Sequence, residues 1–387
     1  MTEWIECTLD KLGEIVGGAT PSTKCEDYYG GSIPWITPKD LSSFKGRYIT
    51  SGERNITEKG LASCSAQMMP KDAVLFTSRA PIGYVAIASQ SVCTNQGFKS
   101  IVVNEKADPL FVYYLLKYNK DAIEAMGSGT TFKEVSGKTM RAVKVRIPLD
   151  VSYQKRIAAV LDSLDTKIEN NERINDNLLW QAQALYKDRF IDLKPFNGKM
   201  PPDWQLGTVS EIIELHDSKR IPLSSRERAN LTKIYPYYGA TSVMDYVDRY
   251  LFDGIYLLLG EDGTVVDDKG FPILQYVEGK FWVNNHAHII TGKNGFTVET
   301  LYLLFSLTNV RSIVTGAVQP KISQANLNNV SVVIPSKAEL STFNSIVQPI
   351  FSQIRNLRAE SDRLTSTRDI LLPRLMSGEI DAANIQL

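Results

Sequence analysis

Residues 129–148 read GTTFKEVSGKTMRAVKVRIP, and residues 316–335 read GAVQPKISQANLNNVSVVIP. Each stretch opens on a glycine, carries a lysine shortly before a serine and closes on an apolar run that ends in Ile-Pro. The closing prolines, Pro148 and Pro335, are 187 residues apart in a chain of 387. A match at this distance predicts that the chain consists of two similar halves.

Other segments match in the same order before this pair. They are Trp4–Leu9 with Trp204–Val209, Thr94–Phe98 with Val283–Ala287, and Tyr113–Leu116 with Leu301–Leu304. The offset falls from 200 residues at the first pair to 187 at the closing segments, which loop insertions explain. The shared order of the matches argues against chance.

Each half has the pattern of an α+β domain. The apolar runs Val74–Phe76 and Tyr256–Leu259 predict buried strands. Residues 143–147 alternate instead, with Lys144 and Arg146 on one face, which predicts a half-exposed strand.

After Pro148, and again after Pro335, the apolar spacing changes to the 4-3 repeat of a coiled coil. The spacing predicts two helices of about 40 residues, each about 60 Å long. The predicted seam is Ile157, Leu161, Leu164, Ile168, Leu178 and Leu185 in the first helix, and Phe343, Val347, Ile350, Ile354, Leu357, Leu364 and Leu371 in the second. Asn171, Asn175 and Ser361 interrupt the seam, and polar residues at such positions can fix register.

Two arrangements of these helices are open. Each helix could cap its own domain, or the two could pair antiparallel; a helix this long overshoots a domain of ordinary size, which favours pairing. The predicted fold is α+β, with two globular domains joined by two long antiparallel coiled-coil helices in a pseudo-two-fold repeat. The predicted boundaries are domain 1 at 1–150, helix 1 at 151–192, a Pro/Gly-rich linker at 193–203, domain 2 at 204–336, helix 2 at 337–380 and a tail at 381–387.

The composition argues against several classes of protein. Forty-three basic and 43 acidic residues give no net charge, so any nucleic acid must be held by local basic patches or with a partner's help. The four cysteines form no CxxC pair, which argues against a zinc site. The polar start, Met1–Trp4, does not resemble a secretory signal, and no apolar run approaches the length of a membrane helix. We expect a reduced cytoplasmic protein with no membrane contact.

The layout resembles the specificity (S) subunit of type I restriction–modification systems. The resemblance covers nearly the whole chain and lies in Gly17–Ser22, Ile33–Ile36, Ser78–Gly83, Gln154–Asp162, Tyr235–Thr241, Gln319–Ser323 and Leu372–Ile380. One departure is that Gly17–Pro21 has no clean copy after Leu215, where Asp217–Pro222 stands, so the two recognition loops differ.

The resemblance implies a role and a set of partners. The two globules would be target recognition domains, each reading one half of a split site in double-stranded DNA. The helices would be a spacer that docks two modification (methyltransferase) subunits. No cofactor is implied for this chain: S-adenosylmethionine would lie on the methyltransferase partner, and ATP on the restriction (motor-nuclease) subunits.

Motifs of catalysis are missing or incomplete. Gly137-Lys138-Thr139 imitates a P-loop ending, but Phe132 stands where the loop needs a glycine. Pro201-Pro202 lacks the flanking residues of an amino-methyltransferase motif. The acidic turn at Asp262, Asp267 and Asp268 and the pair His286 and His288 lack further ligands for a metal, so we predict no catalytic residue and no metal site.

Basic and amide side chains in the matched loops are the candidates for DNA contacts. They are Arg79, Gln96, Thr130, Thr131, Lys133, Lys138 and Arg141 in the first half, and Lys219, Arg220, Tyr237, Tyr238, Asn285, His286, Gln319 and Lys321 in the second. Alternatives stay open for some: the tyrosines could be core residues, and Lys144 and Arg146 could be a solvated strand face or phosphate contacts. We hypothesise that Lys321→Ala weakens DNA binding.

Two other functions fit the sequence less well than DNA specificity. The sequence lacks the motifs of a self-contained nuclease. A coiled-coil scaffold without DNA binding would not need two such elaborate globular domains. Because the halves differ, a DNA-specificity protein of this kind predicts a split, non-palindromic target whose half-sites lie about one helical turn apart.

Overall fold

The structure, a computed structural model, describes residues 3–129, 133–316 and 318–385. It divides into two compact units, residues 1–171 with 360–387 and residues 172–359. Each unit holds one α+β domain and a part of both long helices, so the helices belong to the units they pack on.

The elements are numbered along the chain. The strands are β1 Trp4–Thr8, β2 Gly13–Gly17, β3 Tyr29–Ile33, β4 Trp35–Ile36, β5 Tyr48–Ile49, β6 Val74–Ser78, β7 Ile82–Ala88, β8 Cys93–Thr94, β9 Lys99–Val103, β10 Lys144–Pro148, β11 Gln205–Thr208, β12 Ile213–Leu215, β13 Tyr235–Tyr238, β14 Val243–Val247, β15 Phe252–Gly260, β16 Leu274–Val283, β17 Ala287–Gly292 and β18 Ser331–Ile334. The α-helices are α1 Pro38–Ser42, α2 Glu58–Ala62, α3 Pro109–Tyr118, α4 Lys120–Ala125, α5 Gly137–Ala142, α6 Val151–Tyr186, α7 Val209–Ile212, α8 Ser225–Ala229, α9 Val298–Ser306, α10 Gln324–Asn328 and α11 Lys337–Met376.

The two domains repeat the same strand pairings. The main sheet has the order β2-β9-β6-β7-β5 in the first unit and β12-β17-β15-β16-β13-β14 in the second. In each unit the strand that precedes the long helix pairs antiparallel with the opening strand, β10 with β1 and β18 with β11. The backbone repeats too, since Leu9 N donates to Val143 O at 3.0 Å and Val209 N donates to Val330 O at 2.9 Å.

The strand predictions are confirmed: β6 is buried throughout, and β10 alternates with Lys144 and Arg146 outward. In β15, Leu257–Leu259 are buried as predicted, whereas Tyr256 is half-buried. Helix α3 begins where Asp108 caps it, with Pro109 in the first turn and the Asp108 carboxylate accepting from Phe111 N at 2.9 Å. Its apolar residues face both the sheet and the long helix, so domain and helix share one core in the first unit.

In the first unit, the start of α6 packs against the end of α11. Asp165 accepts a hydrogen bond from Arg368 Nη1 at 2.7 Å, and Asn171 Nδ2 donates to Glu360 Oε2 at 2.8 Å. Since the residue numbers rise in one helix as they fall in the other, the two segments run antiparallel within this unit. The predicted polar position Asn171 is fully buried.

In the second unit, the end of α6 packs against the start of α11. The rings of Tyr186 and Phe343 lie 5.7 Å apart, and Arg189 pairs with Glu339, so this segment pair is also antiparallel within its unit. Across the two units, the fully buried seam residues are Ile157, Leu161, Phe343, Val347, Ile354 and Leu357, and the half-buried ones are Leu164, Ile168, Leu178, Ile350, Leu364 and Leu371.

The seam prediction was wrong for Leu185, whose side chain is 41% exposed. The buried stripe passes instead through Ala182, Tyr186 and Phe190, the last of these in a π-helical turn, Lys187–Ile191. Phe190 packs on Phe343 at 4.8 Å between ring centroids, and this contact draws the Tyr186 face inward. Leu185, about 100° around the helix from Tyr186, is therefore left outside.

Leu185→Ala is expected to change the free energy of unfolding by less than about 0.5 kcal/mol, as is usual for exposed sites. Urea unfolding measures it, with Leu161→Ala as the matched comparison from the buried seam. A loss above about 1.5 kcal/mol at Leu185 would show that the heptad seam continues through it after all.

The segment predicted as a tail packs on the first unit. Arg156 Nε donates to Ala382 O at 2.8 Å, Tyr153 Oη donates to Asp381 at 2.8 Å, and Ala382 is fully buried. Residues 381–385 are therefore attached to the first unit, with Ala382 in its core and Ile385 packed against it. Within the described ranges, no helix combines the length and the apolar character needed to cross a membrane.

Candidate nucleic-acid interface

The same tight turn precedes β9 and β17. The Asn95 side-chain oxygen accepts from Gly97 N at 2.9 Å, and the Asn284 side-chain oxygen accepts from His286 N at 2.8 Å. An asparagine that bonds the backbone two residues on makes an Asx turn. Each turn leaves its middle residue, Gln96 in one unit and Asn285 in the other, exposed at the tip.

Two more loops join each turn through equivalent backbone bonds. In the first unit, Ser78 N donates to Gly97 O at 2.7 Å, and Val135 N donates to Ser78 O at 2.9 Å. We define the first loop cluster as residues 78–81, 94–97, 128–129 and 133–135.

In the second unit, Glu261 N donates to His286 O at 2.9 Å, and Ile322 N donates to Glu261 O at 2.8 Å. The second loop cluster is residues 261–263, 284–286, 315–316 and 318–322. The matching bonds show that the two clusters are built on one backbone plan.

The first loop cluster is mainly basic. Glu134 lies 3.5 Å from both Arg79 Nη1 and Lys99 Nζ, so one carboxylate is shared by two cations. Thr20 donates its hydroxyl to the Gln96 side-chain oxygen, and Lys133 is exposed beside this group. The surface therefore offers cations and an amide, the groups that contact phosphates and base edges.

The second loop cluster rests on an ion cluster, which consists of Asp217, Arg220, Glu261, His288 and Lys321. His288 is completely buried, with Nδ1 2.6 Å from Asp217 Oδ2 and Nε2 2.8 Å from Ile322 O. Both ring nitrogens are therefore engaged by polar partners inside the domain. The ion cluster thereby connects the segments that follow β12 and β15 with β17 and with the loop that follows Pro320.

The two carboxylates of the ion cluster are held ionised. Burial alone raises the pKa of Asp217, but hydrogen bonds from His288, Ile289 N and Gln324 outweigh it and hold the pKa below its usual value. Burial acts likewise on Glu261, and the hydrogen bond from Arg220 with the charges around it lowers that pKa as well. Both groups thus need their cationic partners.

Ligand atoms of Asp217, Glu261 and His288 lie within 4.8 Å of one another, a spacing that a metal ion could use. The same atoms already have cationic partners, since Arg220 Nη1 lies 2.5 Å and Lys321 Nζ 3.2 Å from Glu261. Both nitrogens of His288 are also engaged. The arrangement is that of an ion-pair network rather than of a metal centre.

Two predicted DNA contacts are structural residues. Arg220 is 13% exposed, and besides Glu261 it donates to the carbonyls of Asn285 at 3.3 Å and Ala287 at 2.8 Å. Tyr237 is 2% exposed, and its hydroxyl accepts from Leu223 N at 3.0 Å. Both side chains are engaged by contacts inside the domain, which favours structural roles for them over the predicted contacts with DNA.

The structure brings other predicted residues together. Arg79, Gln96 and Lys133 lie in the first loop cluster, and Asn285, His286, Gln319 and Lys321 lie in the second. His286 pairs with Asp262, and Lys321 is 48% exposed beside Glu261.

The remaining candidates are outside the residue ranges of the two loop clusters. Lys138 and Arg141 are exposed on α5, Lys219 is exposed next to Arg220, and Tyr238 is half-buried with its ring 5.7 Å from Phe281. Thr130 and Thr131 lie outside the described residues. On β10, Lys144 pairs with Glu6 at 3.0 Å and Arg146 donates to Ser377 O at 3.2 Å, which favours a structural face over phosphate contacts.

The sequence did not indicate Lys99 as a site residue, and it did not indicate that Glu134 and Asp262 pair with candidate residues. Lys99 takes the place in β9 that His288 takes in β17, since each follows the residue bridged to the end of the neighbouring strand. Aligning the two halves residue by residue through the Asx turns would have found these positions.

The chain contains two similar α+β domains with equivalent loop clusters, and each domain packs on segments of the two long helices. This arrangement is that of a recognition protein with an internal repeat. The chain matches the family described as "Type I restriction modification DNA specificity domain" over residues 1–179 and again over 201–365. It belongs to this family, whose role is DNA sequence specificity within a restriction–modification complex, and it is not an enzyme.

Relatives and a solved structure are similar along the full chain. The specificity subunit of the type I restriction enzyme MjaIX from Methanocaldococcus jannaschii is 32% identical over 98% of this chain and 94% of the relative. The EcoprrI specificity subunit from Escherichia coli is 23% identical over 94% of this chain and 91% of the relative. The S subunit of a type I system from M. genitalium has the same fold, with a TM-score of 0.60 at 18% identity over 97% of this chain and 96% of that one.

Proposed function

We propose that each domain of this chain reads one half of a bipartite, non-palindromic DNA target. One observation carries the proposal: identical Asx turns present Gln96 in one unit and Asn285 in the other. The same backbone plan surrounds these two amides with different charged groups, Arg79 paired with Glu134 in the first unit and His286 paired with Asp262 in the second. Two domains that differ in this way suit two different half-sites.

We further propose that the long helices dock two methyltransferase subunits and set the spacing between the half-sites. The boundaries 1–150 and 204–336 for the recognition domains, with the helices between and after them, belong to this proposal. S-adenosylmethionine would be bound by the methyltransferase subunits and ATP by the restriction subunits, in the cytoplasm. The fixed segment contacts in each unit, such as Asp165 with Arg368, suit a stiff spacer.

The proposal is tested by methyl transfer to plasmid DNA from labelled S-adenosylmethionine. We expect transfer only when the chain and its methyltransferase subunit are both present. Methylation or metal-dependent cleavage by the chain alone would contradict it and favour a self-contained enzyme. A complex that forms but methylates and binds no DNA would favour the scaffold alternative.

Lys321→Ala is expected to weaken DNA binding by the assembled complex and to lower the salt slope of the binding constant by about 1, as loss of one phosphate contact does. A filter-binding titration over a range of salt measures both quantities. Lys293→Ala is the control, because Lys293 is exposed at the other end of β17. An unchanged affinity and slope would show that Lys321 serves only to pair with Glu261.

A further inference from the structure

A hairpin in the second loop cluster carries an apolar side chain at its tip. Thr315 and Lys321 exchange two backbone hydrogen bonds, of 2.9 and 2.8 Å, that close the loop between them. Val318, in the middle of this loop, is 99% exposed. The Val318 side chain is therefore free to contact a partner outside the chain.

The base of this hairpin is fixed on its other side as well. Gly263 N donates to Pro320 O at 3.0 Å, and Lys321 Nζ lies 3.2 Å from Glu261 in the ion cluster. A loop held at its base loses little conformational freedom when its tip makes a contact, so the contact contributes more to affinity.

A second exposed apolar side chain belongs to the same surface. Met244 is 56% exposed, and its sulfur lies 3.3 Å from Nδ2 of Asn284, the residue that forms the Asx turn. The exposed amides of Asn285 and Gln319 are in the same loop cluster. Amide and apolar groups therefore occur together at this site, whereas the first loop cluster combines an amide with cations.

The chemistry of base edges explains this combination. Asn and Gln amides pair with adenine in the major groove, and the 5-methyl group of thymine is the apolar feature that an A·T pair shows there. We propose, building on the function proposed above, that Val318 contacts the methyl group of a thymine in the half-site read by the second domain. Met244, next to Asn284, supplies a further apolar surface. The other use of an apolar tip, as a wedge between base steps, suits longer side chains and does not depend on the thymine methyl group.

The test uses the complex of the full chain with its methyltransferase subunits and duplexes that contain the mapped target. Deoxyuridine replaces thymine in one half-site at a time, which removes only the methyl groups. We expect the wild-type complex to bind about fourfold more weakly when the second domain's half-site is substituted, the loss that follows from one unburied methyl-sized group. Val318→Ala is expected to bind the thymine duplex more weakly and to show no further loss with deoxyuridine.

Ile234→Ala is the matched control, since Ile234 is 54% exposed just before β13, away from the loop cluster, and should leave the deoxyuridine effect unchanged. Equal binding of thymine and deoxyuridine duplexes by the wild type would overturn the inference, as would a half-site without A·T pairs. A Val318→Ala complex that stays as sensitive as the wild type would also overturn it. These outcomes leave the proposed function standing, whereas a wild-type complex with no bipartite target would remove both.

Discussion

Replacing Arg220 with methionine is expected to lower the free energy of unfolding of the second unit by about 3–5 kcal/mol, the usual cost of removing one partner from a buried ion pair. Arg220 lies 2.5 Å from Glu261 and 3.5 Å from Asp217, whose side chains are 12% and 3% exposed. Without the guanidinium, two buried carboxylates share fewer cations, and the carbonyls of Asn285 and Ala287 lose a donor.

Urea unfolding, followed by the fluorescence of the tryptophans, measures the loss as a lower midpoint at an unchanged slope. Lys219→Met is the matched control, because it removes the same charge from the adjacent exposed position and should cost less than about 0.5 kcal/mol. A loss below about 1 kcal/mol for Arg220→Met would contradict the assignment of Arg220 to the domain interior. We also expect recognition of one half-site to suffer before the other, since the ion cluster lies in the second unit alone.

The second large effect, on discrimination between base pairs, is expected from substitutions at the tips of the Asx turns. Gln96→Ala and Asn285→Ala should each reduce discrimination at one base pair by about 1–3 kcal/mol, which is the value of a good side-chain contact with a base edge. Because both side chains are exposed, neither change should alter the free energy of unfolding noticeably.

Competition binding with duplexes changed at one base pair at a time measures this effect. The two variants should relax specificity in different half-sites, because their turns belong to different domains. Asn329→Ala is the control, since this exposed asparagine follows α10 outside the second loop cluster. Relaxation in the same half-site by both variants, or in neither, would contradict the equivalence of the two turns.

The repeated backbone plan was predictable from the sequence because backbone geometry depends on short motifs. The Asn95 and Asn284 turns, the apolar strands and the closing segments each carry their signal within a few residues. The long helices were predictable for the same reason, since seven-residue spacing is a local property.

Side-chain partners were harder to predict because they come from distant segments. Arg220 is a residue type that commonly contacts phosphates, but here its guanidinium donates a hydrogen bond to Glu261, 41 positions later in the chain. From the sequence, Tyr237 could contact a base or lie in the core. In the structure its ring is buried and its hydroxyl accepts a hydrogen bond from Leu223 N. Leu185 fits the heptad, yet the aromatic residues Phe190 and Phe343 determine which face turns inward.

The central claim is that two equivalent loop clusters read two different half-sites. Methylome sequencing of cells that carry this chain with its methyltransferase partner tests it most directly. We expect one methylated motif made of two unlike half-sites separated by a gap of fixed length whose bases are not read. A continuous motif, a palindromic motif with identical halves, or no new methylated motif would contradict it.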